Sequence, residues 1–200
     1  SALVAKLLRM GTPLGTYVDG KMYYGIVTGL NEAFVIDQET RDRLISEDPK
    51  SAEVLKPFLR GRDIGRYAIH PAGLWLIRIE NGWTKATMAA HGPLSDQAAW
   101  EFFSTSYPAI ANHLLPFEER ARKRDDQGQF WWELRPCVYY DAFQQSKVFS
   151  YRFGLKAGFV FDDKRFYSND AMYFYSPSPK WLAAVLNSSI CNLCLISICP

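Results

Sequence analysis

An excess of one charge is what this sequence most lacks. Its 23 lysines and arginines face 21 aspartates and glutamates, a formal net charge of +2. So even a balance excludes a free-standing, uniformly basic nucleic-acid module, and any phosphate-binding face must be local. Cysteine is scarce as well. Cys137 stands alone while Cys191, Cys194 and Cys199 crowd the end, unlike the spaced framework of a secreted disulfide protein. With no charged-apolar-small leader at the start, the cytoplasm is the default compartment. Long apolar runs are also missing. The longest uncharged stretch, residues 181–200, is interrupted by Asn187, Ser188, Ser189 and Asn192 and reads as a buried helix rather than a membrane span, so no membrane partner is expected. No P-loop, GxGxxG or GxSxG occurs, and YYGIVTG lacks the lysine and hydroxyl of a phosphate cradle. No catalytic residue, cofactor or metal is therefore expected in this chain.

What is present describes a folded protein. Two hundred residues, 48% hydrophobic and 22% charged, suffice for one core or for one domain with a helical appendage. Aromatics make up 15%, with 6 Trp, more than a minimal core needs. Some are expected on a recognition surface, against the plainer reading of a β-rich core filled with large side chains.

Periodicity and punctuation outline the elements. Residues 3–8 form a short helix broken by Gly11-Thr12-Pro13, and 22–28 and 33–37 read as two strands around the turn at 29–32, a hairpin-like unit. A polar helix over 40–47 stops at Asp48-Pro49, and Ser51 is placed to cap a second helix running to about residue 56. Strands follow at 66–69 and 74–80. Residues 93–107 and 109–124 look helical, with Pro108 and Pro116 as punctuation, and 125–128 form a polar turn. Strands return at 147–152, 159–161 and 171–175 before Ser178-Pro179 opens a last helix. Strands on both sides of a central helical pair argue for an α+β fold.

Basic side chains concentrate in LKPFLRGRDIGRY (55–67). Lys56, Arg60, Arg62 and Arg66 stand against one acid, Asp63, between the apolar anchors Pro57, Phe58, Ile64 and Tyr67. Arginine pairs with phosphate bidentately, so double-stranded DNA is the first partner to test. Further bases, Arg135, Lys147, Arg152, Lys156, Lys164 and Arg165, sit beside aromatics. The Arg120 to Arg124 run is balanced by Glu118, Glu119, Asp125 and Asp126 and reads as a solvated helix face.

Two chemistries compete with binding. Asp162-Asp163-Lys164 after GFVF fits the Asp-x-Lys element of Mg-dependent nucleases, with Asp141 as a substitute upstream carboxylate; a solvated turn is the plainer reading. Cys191 and Cys194 have CxxC spacing, and Cys199 with His70, His91 or His113 would have to complete a zinc tetrahedron; buried helical cysteines are the plainer reading.

Five segments in order, YYGIVTGLNEAFVID (23–37), DPKSAEVLKPFLRGRDIGRY (48–67), WWELRPCVYYDAF (131–143), SKVFSY (146–151) and WLAAVLNS (181–188), resemble the Taq-like C-terminal specificity domain. That is the target-recognition part of type IIG restriction-modification enzymes and related adenine-specific DNA methyltransferases. The resemblance implies an irregular, coiled β-structure with added helices, similar to DNA methylase specificity domains. It also implies an upstream methyltransferase domain in cis that uses S-adenosylmethionine, and in some parents a Mg-dependent nuclease. The methyltransferase motif Asn-Pro-Pro-aromatic is not in this sequence. Residues 1–12 would then be a connector from that domain and 13–200 the target-recognition domain, truncated at its C-terminus. GIVTGLN, LKPFLRGRDI and WWELR are expected to be scaffold and backbone-contacting parts. The expected DNA-backbone contacts are Lys56, Arg60, Arg62, Arg66, Arg135 and Lys147, the last from Gln145-Ser146-Lys147-Val148 in place of the family's Lys-Pro-Lys-Ile. Base readout is expected from Arg152 and Lys156 after SKVFSY, and from Thr28 and Asn31 in the first turn. A structural or protein-interaction role in the same parent is the competing reading.

Overall fold

The computed structural model of the protein describes residues 2–89, 92–152 and 158–198. Among them, the helices in chain order are α1 (Ala2–Met10), α2 (Leu14–Tyr17), α3 (Asn31–Phe34), α4 (Gln38–Glu47), α5 (Trp83–Thr87), α6 (Asp96–Ser106), α7 (Pro108–Leu114), α8 (Glu118–Arg122), α9 (Lys180–Leu186) and α10 (Ser189–Ile198). The strands are β1 (Met22–Tyr24), β2 (Val35–Ile36), β3 (Leu55–Leu59), β4 (Leu74–Ile77), β5 (Lys147–Tyr151), β6 (Phe159–Asp162), β7 (Tyr167–Ser168) and β8 (Met172–Tyr175). The fold is α+β, as the order of elements leads one to expect. No helix among the described residues is long and apolar enough to cross a membrane.

The chain divides into two compact units, each assembled from separated stretches. The first comprises Ser1–Ile26, Leu59–Ala72 and Tyr139–Pro200; the second comprises Val27–Phe58 and Gly73–Val138. Residues 1–12, read above as a connector, fall in the first unit.

The first unit is built on an antiparallel sheet in the order β1-β8-β5-β6. Met22 faces Tyr175 across β1 and β8, Tyr151 faces Met172 across β5 and β8, and Ser150 faces Phe159 across β5 and β6. Apolar residues on one side of this sheet, Val148, Phe159 and Tyr175, pack with Leu182, Ala183 and Leu186 of α9 and with Val18. The larger of these, such as Val148, Phe159, Leu182 and Leu186, each contribute about 1.5–3 kcal/mol by leaving water. Gly25 of the GIVTGLN segment serves this unit through its missing side chain. A Cβ there would sit 2.0 Å from the carbonyl oxygen of Asn169, because the backbone passes close enough for Ile26 N–H to donate to Ser168 O at 2.6 Å.

The second unit pairs β2 and β3 with opposite edges of β4, both antiparallel. An aromatic core fills it: Trp132 stacks on Phe103 at 5.5 Å and on Phe130 at 4.7 Å between ring centres, and Trp100 stacks on Trp131 at 4.8 Å. The Trp132 Nε1–H donates to Thr84 Oγ1 at 2.9 Å, which settles the one polar atom of that buried ring. Trp131 and Trp132 are buried, Trp75, Trp83 and Trp100 are partly buried, and Trp181 stands half exposed, at 53%.

Several local expectations fail for identifiable reasons. Residues 22–28 and 33–37 do not form a hairpin. Thr28 Oγ1 donates to Asn31 Oδ1 at 2.6 Å and accepts from Leu30 N–H at 3.2 Å, turning the chain into α3, so β1 pairs with β8 and β2 with β4. The second helix expected after Ser51 is a 3-10 turn (Pro49–Glu53) capped by Asp48, and the β-favouring, proline-bearing LKPFL that follows is β3. Residues 66–69 form a turn rather than a strand. Pro116 breaks the helix expected over 109–124 into α7, a 3-10 turn and α8.

Candidate nucleic-acid interface

In the first unit, the chain after β3 makes a tight 3-10 turn at Gly61–Asp63 and then doubles back. Asp63 organises it. Its carboxylate accepts the Arg60 backbone N–H at 2.8 Å and the Arg60 guanidinium at 3.2 and 3.1 Å, a bidentate pair that leaves Asp63 only 4% exposed. The return is fixed by an antiparallel bridge between Ile64 and Ile69, by Gly65 N–H to Ala68 O at 2.8 Å and by His70 N–H to Asp63 O at 2.7 Å. Arg62 and Arg66 are both exposed, and no carboxylate among the described residues pairs with either.

The segment is anchored to one end of the β1-β8-β5-β6 sheet. The Tyr151 hydroxyl at the end of β5 donates to Ile64 O. Arg66 Nη2 donates to Asn187 O at the C-terminus of α9, where the helix dipole favours a cation. Asn187 is itself buried and binds β6 with both ends of its amide, accepting from Phe159 N–H at 3.0 Å and donating to Phe159 O at 2.6 Å. Ala171 links Arg152 to the same place. Its carbonyl accepts the Arg152 N–H at 2.9 Å, and its methyl lies 3.4 Å from where a Cβ on Gly61 would stand. Arg152 also reaches the Asp170 carbonyl at 3.3 Å and its carboxylate at 3.7 Å. Arg60, Arg62, Arg66 and Arg152, from sequence positions up to 92 apart, are thereby gathered at one sheet end against the two acids Asp63 and Asp170.

The remaining residues expected to touch DNA do not join this cluster. Lys56 belongs to the second unit, half-buried in β3 opposite Leu76. Burial pulls its ammonium below the ordinary lysine value, Arg78 adds to the effect, and Glu53 and Glu80 oppose it. Arg135, also in the second unit, is paired with Asp126 at 3.0 Å. Thr28 is buried at 2% exposure and, with Asn31, is occupied in the local turn. Lys156 lies outside the described residues.

Lys147 is a correction. Its side chain is fully buried at 0% exposure, 2.7 Å from the equally buried carboxylate of Asp162, and it donates to Phe143 O at 2.8 Å. A phosphate cannot reach it in this fold. Burial pulls its ammonium below the ordinary value, Asp162 pulls the other way and Arg165 adds to the lowering. The same pair removes the nuclease reading of Asp162-Asp163-Lys164. Asp162 accepts from Lys147, from Lys164 N–H at 2.9 Å and from Phe166 N–H at 3.0 Å, so its carboxylate is closed off from any metal or water in a cleft. Cys191 and Cys194 sit half-buried on α10, and Cys199 and His91 lie outside the described residues.

Sequence reasoning missed how WWELR works in the second unit. Glu133, fully buried, accepts from the backbone N–H groups of Gly82 at 2.8 Å, Thr84 at 3.0 Å and Gln129 at 3.1 Å, which holds the start of α5. Arg124, taken from sequence as part of a solvated face, is buried and donates to the carbonyls of Thr28, Trp131 and Glu133. Burial pushes its guanidinium down to about 10, with Asp126 opposing, so it remains charged at neutral pH. The rest of that run is solvated as expected, with Arg122 bonded to Glu118 and Asp96, and Lys123 to Glu119.

No family model matches the chain, and no curated protein matches it. Among solved structures, it aligns with a Type IIL restriction-modification enzyme, MmeI, in complex with DNA, at 15% identity and a TM-score of 0.47. The alignment covers 86% of this chain and 21% of that one, so the chain spans about a fifth of the enzyme's length.

Proposed function

We propose that the chain is a DNA target-recognition module of a restriction-modification enzyme or adenine-specific methyltransferase, holding a duplex in register for a separate catalytic domain. The observation that carries this reading is the gathering of Arg60, Arg62, Arg66 and Arg152 at one sheet end, with Arg62 and Arg66 unpaired to any described carboxylate. Two exposed guanidiniums on a hydrogen-bonded turn present planar, multiply donating heads to phosphate oxygens, Arg66 with one of its donors already committed to Asn187 O. The five sequence segments that resemble the Taq-like specificity domain support the same reading. In it, S-adenosylmethionine and the extrusion of adenine belong to the upstream domain, which residues 1–12 join, and this chain performs no reaction itself.

Salt titration tests the proposal. Binding of a 30-base-pair duplex should weaken as salt rises, and replacing Arg62 and Arg66 with Ala should flatten the log–log slope by about 2, near 0.9 for each lost phosphate contact. An unchanged slope refutes the assignment. A second reading, a protein-packing surface, is favoured by one feature of the first unit: Trp181 stands exposed with Tyr17 edge-on at 5.7 Å and Val185 exposed beside it on α9. That reading requires association insensitive to salt and to the arginine replacements.

A further inference from the structure

Tyr67 combines three properties that a scaffold residue has no need to combine. It is 56% exposed, and it holds φ at +67°, the left-handed region that a side chain this bulky ordinarily avoids. It is also held there by main-chain bonds: its N–H donates to Phe159 O at 3.2 Å, the carbonyl that Asn187 Nδ2 also binds, while the 64–69 turn closes around it. Such a conformation costs about 1–3 kcal/mol and persists only where the surroundings impose it. Glycine or asparagine would fill the position with less strain, and the ring, with Arg66 over one face, stays 56% exposed and open to a ligand. Its neighbours indicate the kind of ligand. The Arg66 guanidinium lies 5.3 Å from the ring centre, over its face, and Arg62 is exposed five residues before it.

We propose that Tyr67 is a base-contacting wedge: its ring packs against a nucleobase at an opened step of the bound duplex, while Arg62 and Arg66 hold the phosphates flanking that step. An exposed aromatic ring with one arginine at its face and a second exposed on the same turn matches the chemistry of a nucleotide unit, a π-surface carried beside anions. The fixed turn makes the wedge rigid, so unstacking the step is offset by contacts already in place. This rests on the reading of the chain as a duplex-binding module, and the test separates the two.

The probe is a 30-base-pair duplex of mixed sequence carrying 2-aminopurine at spaced positions, whose fluorescence rises when a base unstacks. Wild-type protein should bind it at 50 mM salt with increased fluorescence, and Tyr67→Phe should do the same. Tyr67→Gly should fold with a Tm no lower than wild type, because glycine accepts φ +67°, yet bind about 10- to 100-fold more weakly, without the fluorescence rise and with the salt slope unchanged. If Tyr67→Gly binds as wild type while Arg62→Ala/Arg66→Ala flattens the salt slope, the wedge is overturned and the duplex-binding reading stands. If Tyr67→Phe fails like Tyr67→Gly, a hydroxyl hydrogen bond rather than ring contact operates, and the wedge is again overturned. Absence of any salt-dependent duplex binding by wild type overturns both.

Discussion

Lysines and arginines in this chain divide by what surrounds their heads, and sequence alone does not display that division. Lys147 and Arg62 both lie in segments that mix bases with apolar residues, yet one is sealed with Asp162 and the other meets water. The consequence for Lys147 is energetic. Lys147→Met should leave a buried, unpaired carboxylate and cost about 3–5 kcal/mol, measured as a lower urea midpoint. Adding Asp162→Asn should recover part of the loss by removing the buried charge, since Lys164 N–H and Phe166 N–H bind different oxygens of Asp162 and the amide oxygen can keep only one of them. Duplex affinity of the refolded double variant should equal that of wild type, because neither side chain reaches the surface. What could have marked Lys147 in the sequence is its place at the head of a strand that reads KVFSY, buried on both faces; what could not is its partner, fifteen residues away on β6.

At the scale of elements, the long periodic segments were readable and the short ones were not. α6 with its Ser95 cap, β5, β6, β8 and α9 all stand where apolar pattern and punctuation place them. β3 and the turn after it were misread because tertiary pairing outweighed weak local signals. The candidate site suffers most from this, since the geometry that exposes Arg62 and Tyr67 depends on Asp63, Phe159 and Asn187 arriving together from three separate stretches. Helix α7 carries a pH-dependent contact within the second unit. His113 Nε2 lies 3.1 Å from Ala33 O, and burial holds the ring's pKa below its ordinary 6.5, with the Ala33 bond opposing and Arg43 adding to the lowering. Above pH 6.5 both folded and unfolded imidazoles are neutral and the group contributes nothing. As pH falls below that value the unfolded chain takes up the proton first, so stability is lost on acidification. Urea midpoints compared at pH 7.5 and 5.5 should fall for wild type. The fall should be smaller for His113→Gln, whose amide can still donate to Ala33 O.

The whole molecule is interleaved. The chain leaves the first unit at Ile26, returns at Leu59, leaves at Ala72 and returns at Tyr139. The sheet that anchors the arginine turn therefore joins partners from opposite ends of the sequence: β1 at Met22–Tyr24 finds its neighbour β8 only at Met172–Tyr175. Contacts of such separation slow folding, because loop closure must be accomplished before pairing offsets it. During synthesis at about 5–20 residues per second, β1 would wait roughly 8–30 seconds for β8 to be made. Over that interval an uncovered, tyrosine-bearing edge is offered to any other nascent strand. Ribosome-bound chains stalled just after residue 138 has cleared the exit tunnel should expose β1 to protease while the aromatic core around Trp132 is already protected. The arginine turn is then among the last parts of the molecule to be fixed, since Tyr151, Phe159 and Asn187, which anchor it, are made late, and a partly made chain lacks the ordered turn proposed to meet a duplex.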